Sequence, residues 1–283
     1  MGKIGVMNSP LKIRRFRLGV WLGAVCCVLL AWAGVVAQEQ PNGGAAGAAG
    51  AAGEAEKPVG SQRPVRVLFL GHDSKHHNSN EYFPLLQNRL RPEGIALDYY
   101  TKPDCLTAET LSRYDAVLLY ANHGRITPEQ FDALYAFVAG GHGFVPVHCA
   151  SACFGNDPRF RALVGGRFKS HKSGVFKTVF IDRTHPVFAG VSEYETWDET
   201  YVHDSLNTEG RTLLAERVEE EQREPWTWVR TEGKGRVFYT ASGHDERTWK
   251  NNEFQKLLRN GILWSVGEAV VADWEKGGGR RLP

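Results

Sequence analysis

Short apolar runs alternate with helically spaced apolar positions from about residue 63 onward. Residues 65–70, 95–100 and 115–120 are apolar runs bounded by polar loops, a pattern that predicts strands. The third run is continuously apolar, which is typical of a strand buried on both faces of a parallel sheet. Between the first two runs, the spacing over residues 82–90 predicts a helix.

A further helix is predicted to begin at Thr127. Thr127 offers an N-cap, Pro128 suits the first helical position, and Gln130 is the partner of a capping box. Apolar residues then follow at helical spacing, and Gly140-Gly141 ends the segment. The next apolar run ends at His148 and predicts another buried strand.

The second half of the body predicts more strands and a closing helix. The apolar or alternating segments are 174–181, 212–216, 226–230 and 236–240, and a helical stripe covers 254–262. Successive strand–helix units favour an α/β fold, a doubly wound and mostly parallel sheet flanked by helices. Antiparallel strands are expected in the second half of that sheet.

The first 37 residues predict an export segment and not part of the fold. Basic residues at 12–17 precede an apolar run over 18–36, and small residues close the segment at Ala37. This is the pattern of a signal peptide cleaved near Ala37. The run is also about 20 residues long, the length of a membrane span, so a retained anchor is the alternative. We therefore expect a periplasmic or extracellular protein whose only membrane contact is this segment.

Composition divides the rest of the chain. Residues 38–62 are rich in Ala and Gly and predict a flexible linker, 63–268 form the folded body, and 269–283 are predicted to be a disordered tail. Lys plus Arg number 34 against 32 Asp plus Glu, so no basic surface favours nucleic acid. The sequence leaves the oligomeric state open.

Cysteines in the body do not define a scaffold. Cys105, Cys149 and Cys153 are an odd set without the spacing of a zinc site. A bridge between Cys149 and Cys153 stays open.

Polar residues collect where the predicted parallel strands end. They occupy 71–78, 121–124, 148–149 and 242–246, and most of the body's histidines are among them. In a parallel sheet these ends meet at one crevice. Histidine is suited to proton transfer near neutral pH and to metal binding.

The individual histidines differ in how strongly position favours a function. His148 and His244 each end a predicted central strand, whereas His72, His123 and His142 are more typical of solvated or capping side chains. His185 precedes a proline and predicts a structural turn. Residues 197–201 place two carboxylates between aromatic rings, which fits either an exposed turn or a sugar site.

Several motifs, taken in order, resemble the ThuA-like (trehalose utilisation) family over about residues 65–267. They are Val147-His148-x-Ala150-Ser, Thr184-His185-Pro186-Val-x-x-Gly190, Glu195-x-x-Asp198-Glu199-x-Tyr201 and Gly233-x-Gly235-Arg236-Val-Phe-Tyr-x-x-x-Gly243-His244. The resemblance implies a class I glutamine amidotransferase-like fold. Amidotransferases place a catalytic cysteine at a strand-to-helix elbow, and here His148 takes that position while Cys149 lies one residue beyond. We therefore expect no glutaminase activity, and nucleophilic Cys149 is only a minor alternative.

The resemblance also implies disaccharide catabolism through 3-keto sugars, so a small carbohydrate is the expected partner. A ketone at C3 acidifies the proton at C2, and acid–base or metal-assisted chemistry then releases the anomeric group. The predicted site residues fall into three groups. In the first group, His76 is an alternative to His77. The catalytic residues are His148, His244, Glu199 and His77; a divalent metal would be held by His77, His148, His171 and His244; Asp198, Tyr201, Trp197 and Asn122 would bind the sugar.

Two other functions remain open from the residues alone. The same aromatic rings and carboxylates suit a non-catalytic carbohydrate-binding or interaction domain. The same ligands suit a metal-dependent hydrolase of another substrate class.

Overall fold

A computed structural model describes residues 63–204, 206–220 and 222–283. The predicted signal segment 1–37 and linker 38–62 lie outside these residues. Within the described part of the chain, no helix is both long and apolar enough to cross a membrane.

The described residues form strands and helices with the following bounds. The strands are β1 Val65–Leu70, β2 Ile95–Tyr100, β3 Ala116–Leu119, β4 Gly143–Pro146, β5 Arg167–Ser170, β6 Ser173–Phe180, β7 Glu195–Glu199, β8 Val202–Asp204, β9 Arg211–Glu219, β10 Gln222–Glu232 and β11 Gly235–Thr240. The helices are α1 Ser79–Leu90, α2 Ala108–Leu111, α3 Pro128–Ala139, α4 Pro158–Val164, α5 Glu246–Trp249, α6 Asn252–Val266 and α7 Glu268–Lys276.

Nine of these strands form one mixed sheet in the order β2-β1-β3-β4-β11-β10-β9-β6-β7. The pairs from β2 to β11 are parallel, and the pairs from β11 to β7 are antiparallel. β5 and β8 form a separate two-stranded ribbon. The predicted α/β fold with antiparallel strands in its second half is confirmed.

Two apolar clusters cover the two faces of the sheet and make a three-layer sandwich. On one face, Leu86 of α1 and Leu258 of α6 pack with the buried side chains of β1 and β3. On the other, Leu134 of α3 and Phe160 of α4 do the same. Because both faces are covered, the central strands carry apolar residues at nearly every position, as the sequence indicated.

The start of α3 has the predicted capping box. Thr127 Oγ1 accepts a hydrogen bond from Gln130 N at 3.2 Å, and Gln130 Oε1 accepts one from Thr127 N at 3.0 Å. Thr127→Ala removes the first of these bonds and is expected to lower the free energy of unfolding by about 1 kcal/mol. Chemical denaturation measures this change; Thr208→Ala, at an exposed position before β9, is the control. An unchanged midpoint in the Thr127 variant would contradict the assignment.

The C-terminal prediction was wrong for much of the tail. Residues 268–276 form α7, and Val271 and Trp274 are buried in the core. Trp274 Nε1 donates to Glu93 O at 2.7 Å, which ties the helix to the segment before β2. The Gly-rich residues beyond α7 favoured disorder, but two apolar side chains one helical turn apart were enough to dock the segment.

Candidate functional site

Four of the loops that follow parallel strands meet at one end of the sheet, as expected for this topology. They follow β1, β3, β4 and β11, and the end of β7 reaches the same place. A pocket of about 710 Å³ opens there. Its lining residues are mostly polar: His72, Asp73, Ser74, His76, His77, Thr101, Lys102, Pro103, Asn122, His123, Gly124, Ala152, Phe168, His171, Glu199 and Tyr201.

Glu199 is the centre of the site. Its Oε2 lies 3.2 Å from His148 Nε2 and 3.5 Å from His77 Nε2. Its Oε1 lies 3.2 Å from His244 Nδ1. The structure thus brings together the four residues that the sequence suggested for catalysis. Their catalytic role stays a prediction.

His148 occupies a strained elbow after β4. Its φ is +49°, a left-handed conformation that residues with a Cβ rarely adopt. The side chain is fully buried and stacks on Tyr201, with ring centroids 4.0 Å apart. His148 Nδ1 lies 2.6 Å from Ala241 O, and because a carbonyl only accepts, Nδ1 carries the hydrogen. The bare Nε2 therefore points at Glu199.

His77, and not His76, reaches Glu199. His77 also has a left-handed φ, +56°, and its carbonyl accepts a hydrogen bond from His72 Nε2 at 3.0 Å. His72 Nδ1 accepts from Asn122 N at 3.3 Å, so His72 holds the loop after β1 to the loop after β3. His76 is exposed on the pocket wall. The tandem histidines are thereby distinguished by backbone geometry, which sequence alone did not specify.

Electrostatics keep Glu199 ionised beside a neutral His148. Burial alone would raise the pKa of Glu199, but the surrounding histidines, His244 and His77 among them, outweigh it and lower the pKa. Burial lowers the pKa of His148 to about 4. Burial also disfavours charged His244, but the nearby Glu199 outweighs this effect and raises the pKa of His244.

The contact between His148 and Glu199 therefore joins two electron-pair donors. Neutral His148 presents a lone pair to a carboxylate oxygen at 3.2 Å, which is unfavourable unless a positive group lies between them. Two ligands bound to one ion at ~2.1 Å, at angles of about 90–109°, lie about 3.0–3.4 Å apart. The observed spacing fits a shared cation.

The surroundings of the other two histidines agree with this interpretation. One ligand atom from each of His77, His148, Glu199 and His244 lies within 4.8 Å of the others, so the group could hold a metal ion. His77 Nε2 faces Glu199 Oε2 at 3.5 Å, and His244 Nδ1 is buried without a hydrogen-bond partner. His244 Nδ1 is close to Glu199 Oε1 but outside hydrogen-bond geometry, as expected for a ligand aimed at a third atom.

His171 does not join this group, contrary to the predicted set of metal ligands. Its Nδ1 lies 3.5 Å from Glu199 Oε1, yet its side chain is 42% exposed. It projects from the turn between β5 and β6 and lines the pocket wall. His171 is thus placed to meet a ligand in the pocket.

Asp198 was expected to bind a sugar hydroxyl, and the structure corrects this. The side chain is fully buried, and its two oxygens accept four hydrogen bonds of 2.7–2.9 Å. The donors are Glu199 N, Gly243 N, His244 N and Thr248 Oγ1. Asp198 therefore positions Glu199 and His244 relative to one another. Alternation along β7 turns its side chain away from the face that Glu199 occupies.

Comparison with known proteins identifies the family. The family model of ThuA, described as trehalose utilisation, matches residues 66–265. The chain belongs to the ThuA family. A search of curated proteins finds no match.

Solved structures of ThuA-like proteins share this fold. A ThuA-like protein from Parabacteroides merdae is 20% identical, with a TM-score of 0.64 over 72% of this chain and 90% of that chain. One from Bacteroides uniformis is 18% identical, with a TM-score of 0.62 over 75% and 94%. A cytoplasmic protein from Salmonella typhimurium is 13% identical, with a TM-score of 0.52 over 70% and 98%. At these identities the likeness establishes the fold alone.

The remaining sugar-binding candidates are placed differently from one another. Tyr201 and Asn122 line the pocket of this ThuA-family protein, although Tyr201 is largely buried under it. Trp197 does not line the pocket, and the Arg247 guanidinium lies 3.6 Å from its ring centroid. The ring that looked suited to stacking on a sugar stacks on arginine instead.

Cys149 is not placed as a nucleophile. Its side chain is fully buried in the core, and burial raises its pKa well above the ordinary value of a thiol. The three cysteines at 105, 149 and 153 are free. Glu246, at the position of the amidotransferase carboxylate, is exposed and pairs with Lys250. The ThuA chain therefore keeps the elbow but not the triad.

A buried polar network under the elbow was missed by the sequence analysis. Tyr239 Oη lies 3.0 Å from His148 O, 3.0 Å from Ser151 Oγ and 2.9 Å from His203 Nε2. The alternating residues of β11 indicated a strand but gave no sign of which hydroxyl would support the elbow. His203 of β8 contacts the rings of Trp228 and Tyr239, neighbours that only the tertiary packing brings together.

Acid should destabilise the protein through His203. Burial lowers its pKa to about 3, whereas an unfolded histidine titrates near 6.5. Below about pH 6.5 His203 binds a proton in the unfolded chain but not in the folded one. The stability that neutral His203 contributes is therefore present above about pH 6.5 and is lost as the pH falls toward 3. Between these values one such group costs about 1.4 kcal/mol per pH unit. Denaturation at several pH values gives the free energy of unfolding as a function of pH. For His203→Asn this dependence should be shallower than in the wild type, by the equivalent of up to one proton; equal slopes would contradict this.

Proposed function

We propose that this ThuA-family protein is an exported, metal-assisted enzyme that cleaves 3-keto glycosides. Membership of a family described as trehalose utilisation supports a carbohydrate-related role. The observation that carries the proposal is the convergence of three imidazoles and one carboxylate at the floor of a polar pocket. Export rests on the pattern of basic and apolar residues over 1–37.

The donor set fits a divalent transition metal. His77, His148, His244 and Glu199 supply three nitrogens and one oxygen, ligands that suit zinc, manganese, iron or cobalt. Ala241 O accepts from His148 Nδ1, the outer hydrogen bond that typically orients a metal-binding imidazole. A bound metal ion would polarise the C3 ketone and so acidify the C2 proton.

The residues of the chain then place the sugar and move the proton. His171 projects into the pocket near Glu199 and is assigned as the base that takes the C2 proton. The C–H electron pair forms the C1–C2 double bond as the C1–O bond breaks. The leaving oxygen keeps the electron pair of the C1–O bond and takes up the proton that His171 carries. The products are an unsaturated 3-keto sugar and an alcohol, and addition of water to the former completes hydrolysis.

A 3-keto-glucoside carrying deuterium at C2 tests this function. The protein is incubated with the substrate after loading with Zn²⁺, Mn²⁺ or Co²⁺ and after chelation, and the products are identified by NMR. We expect cleavage only in a metal-loaded sample, slowed by deuterium because C–H breakage precedes loss of the leaving group. Glu195→Gln, an exposed change on the same strand, is the matched control for Glu199→Gln.

Two other outcomes would indicate a different function. Cleavage without an isotope effect and without need of the ketone would indicate a metal-dependent hydrolase of another class. Saturable sugar binding without turnover would indicate a carbohydrate-binding domain. Either result would overturn the proposed reaction.

A further inference from the structure

The pocket described above adjoins a groove that lies between the loop after β2 and the loop after β3. The loop after β2 contributes residues 101–103 to the pocket and 103–104 to the groove. The loop after β3 contributes 122–124 to the pocket and 125–127 to the groove, which Pro128 at the start of α3 also lines. Pro103 lines both. The groove adds a volume of about 530 Å³ to the pocket's 710 Å³.

The walls of this groove are held in place by side chains. Asn156 forms two hydrogen bonds with the backbone of Ile126, accepting from its N–H at 3.0 Å and donating to its carbonyl at 2.8 Å. Gln130 caps α3 and also donates to Asp104 Oδ1 at 3.4 Å, which connects one wall with the other. A wall that is already ordered does not have to be fixed when a ligand binds, and this favours affinity.

Two cationic side chains flank the junction without protein partners. Neither Lys102 nor Arg125 forms an ion pair or a side-chain hydrogen bond with any residue that the structure describes. Both are exposed, and their donors are therefore available to a ligand. Hydroxyl and ring oxygens of a sugar accept such hydrogen bonds, while Pro103 and Pro128 offer apolar surface to the faces of the rings.

We propose that the groove binds the glycan chain of the leaving group, so that the preferred substrate is an extended oligosaccharide glycoside. This inference rests on the proposed function, because the pocket must hold the sugar that reacts. The chain then runs from the metal site past Asn122 and Pro103 to Arg125. A single sugar or a small aglycone would leave the groove empty and forgo its contacts.

Chain length and one exposed arginine test the proposal. The metal-loaded protein is assayed on 3-keto glycosides whose leaving group is methanol, glucose, or a linear glucan of two to four units. We expect kcat/KM to rise as the chain reaches the groove. Arg125→Ala should remove roughly five- to tenfold of that gain for the longest substrates and leave the methyl glycoside unchanged. Arg113→Ala, exposed and outside both cavities, is the control.

The outcomes separate this proposal from the proposed function. Equal kcat/KM for all chain lengths, or equal losses for short and long substrates in Arg125→Ala, would overturn the groove assignment while leaving the reaction intact. If no substrate turns over, the reaction is wrong, and the groove is decided by NMR titration with the unoxidised glucans. Chain-length-dependent binding that weakens in Arg125→Ala supports the groove; its absence overturns it.

Discussion

Glu199→Gln is expected to weaken binding of a divalent metal ion by roughly a hundredfold or more. Removing a charged ligand should reduce the metal affinity by more than the 10- to 100-fold that is typical when a hydrogen bond to a ligand is removed. The same change should alter the stability of the metal-free protein only slightly. A glutamine amide can donate to His148 Nε2, and this offsets the loss of the ion pair between Glu199 and His244. Competition titration against a chromophoric chelator measures affinity, and thermal denaturation measures stability.

Glu195→Gln makes the same chemical change on the same strand at an exposed position. It should keep wild-type affinity. Two results would contradict this account: equal metal affinity in the Glu199 variant, or a metal-free Glu199 variant that unfolds far below the wild type. The second would mean that Glu199 contributes to folding through its histidine contacts alone.

Asp198→Asn is expected to lower metal affinity roughly 10- to 100-fold without contacting the metal. Both carboxylate oxygens accept hydrogen bonds, and an amide would turn an –NH₂ group toward two of the donors. Glu199 and His244 would then lose their common support. Thr248→Val removes a single donor to Asp198 and should produce a smaller loss in the same direction. The d–d absorption of the Co²⁺-loaded variants reports the change in ligand geometry.

Asp115→Asn is the matched control for this prediction. Asp115 is also a buried carboxylate that accepts hydrogen bonds from a backbone N–H and an arginine, but it lies at the opposite end of β3. It should lower stability without changing the Co²⁺ spectrum. If Asp198→Asn folds and keeps both the affinity and the spectrum of the wild type, Asp198 does not position the site.

Most of the central sheet was predictable because the apolar runs that indicate its strands also match their burial in the packed sheet. β1 and β2 have the bounds that their apolar runs indicated, and α3 begins at the capping box. β5, β7 and β8 were missed because they are short and polar. β7 and β8 carry polar residues that only the packed structure buries, and no residue of β5 is buried. Residues 197–201 were expected to form a turn or a sugar site, but 197–199 belong to β7, an edge strand whose pairing with β6 is nonlocal.

The convergence of these side chains was predictable from the sequence, but the environment of each one was not. His148 and His244 stood out because each ends a central strand, and parallel topology brings such ends together. The roles of Asp198 and Glu199 depended on the side of β7 that each occupies, and that follows from register. His77 was distinguished from His76 only by a left-handed backbone, and Trp197 from a sugar platform only by the arginine stacked on it.

Anomalous X-ray diffraction at the metal's absorption edge, from crystals grown with Zn²⁺, tests the metal site most directly. We predict one strong peak bonded to His77, His148, Glu199 and His244 at about 2.0–2.2 Å, with an open position facing the pocket. Crystals in which the metal binds elsewhere, while Glu199 still contacts His148 directly, would contradict it.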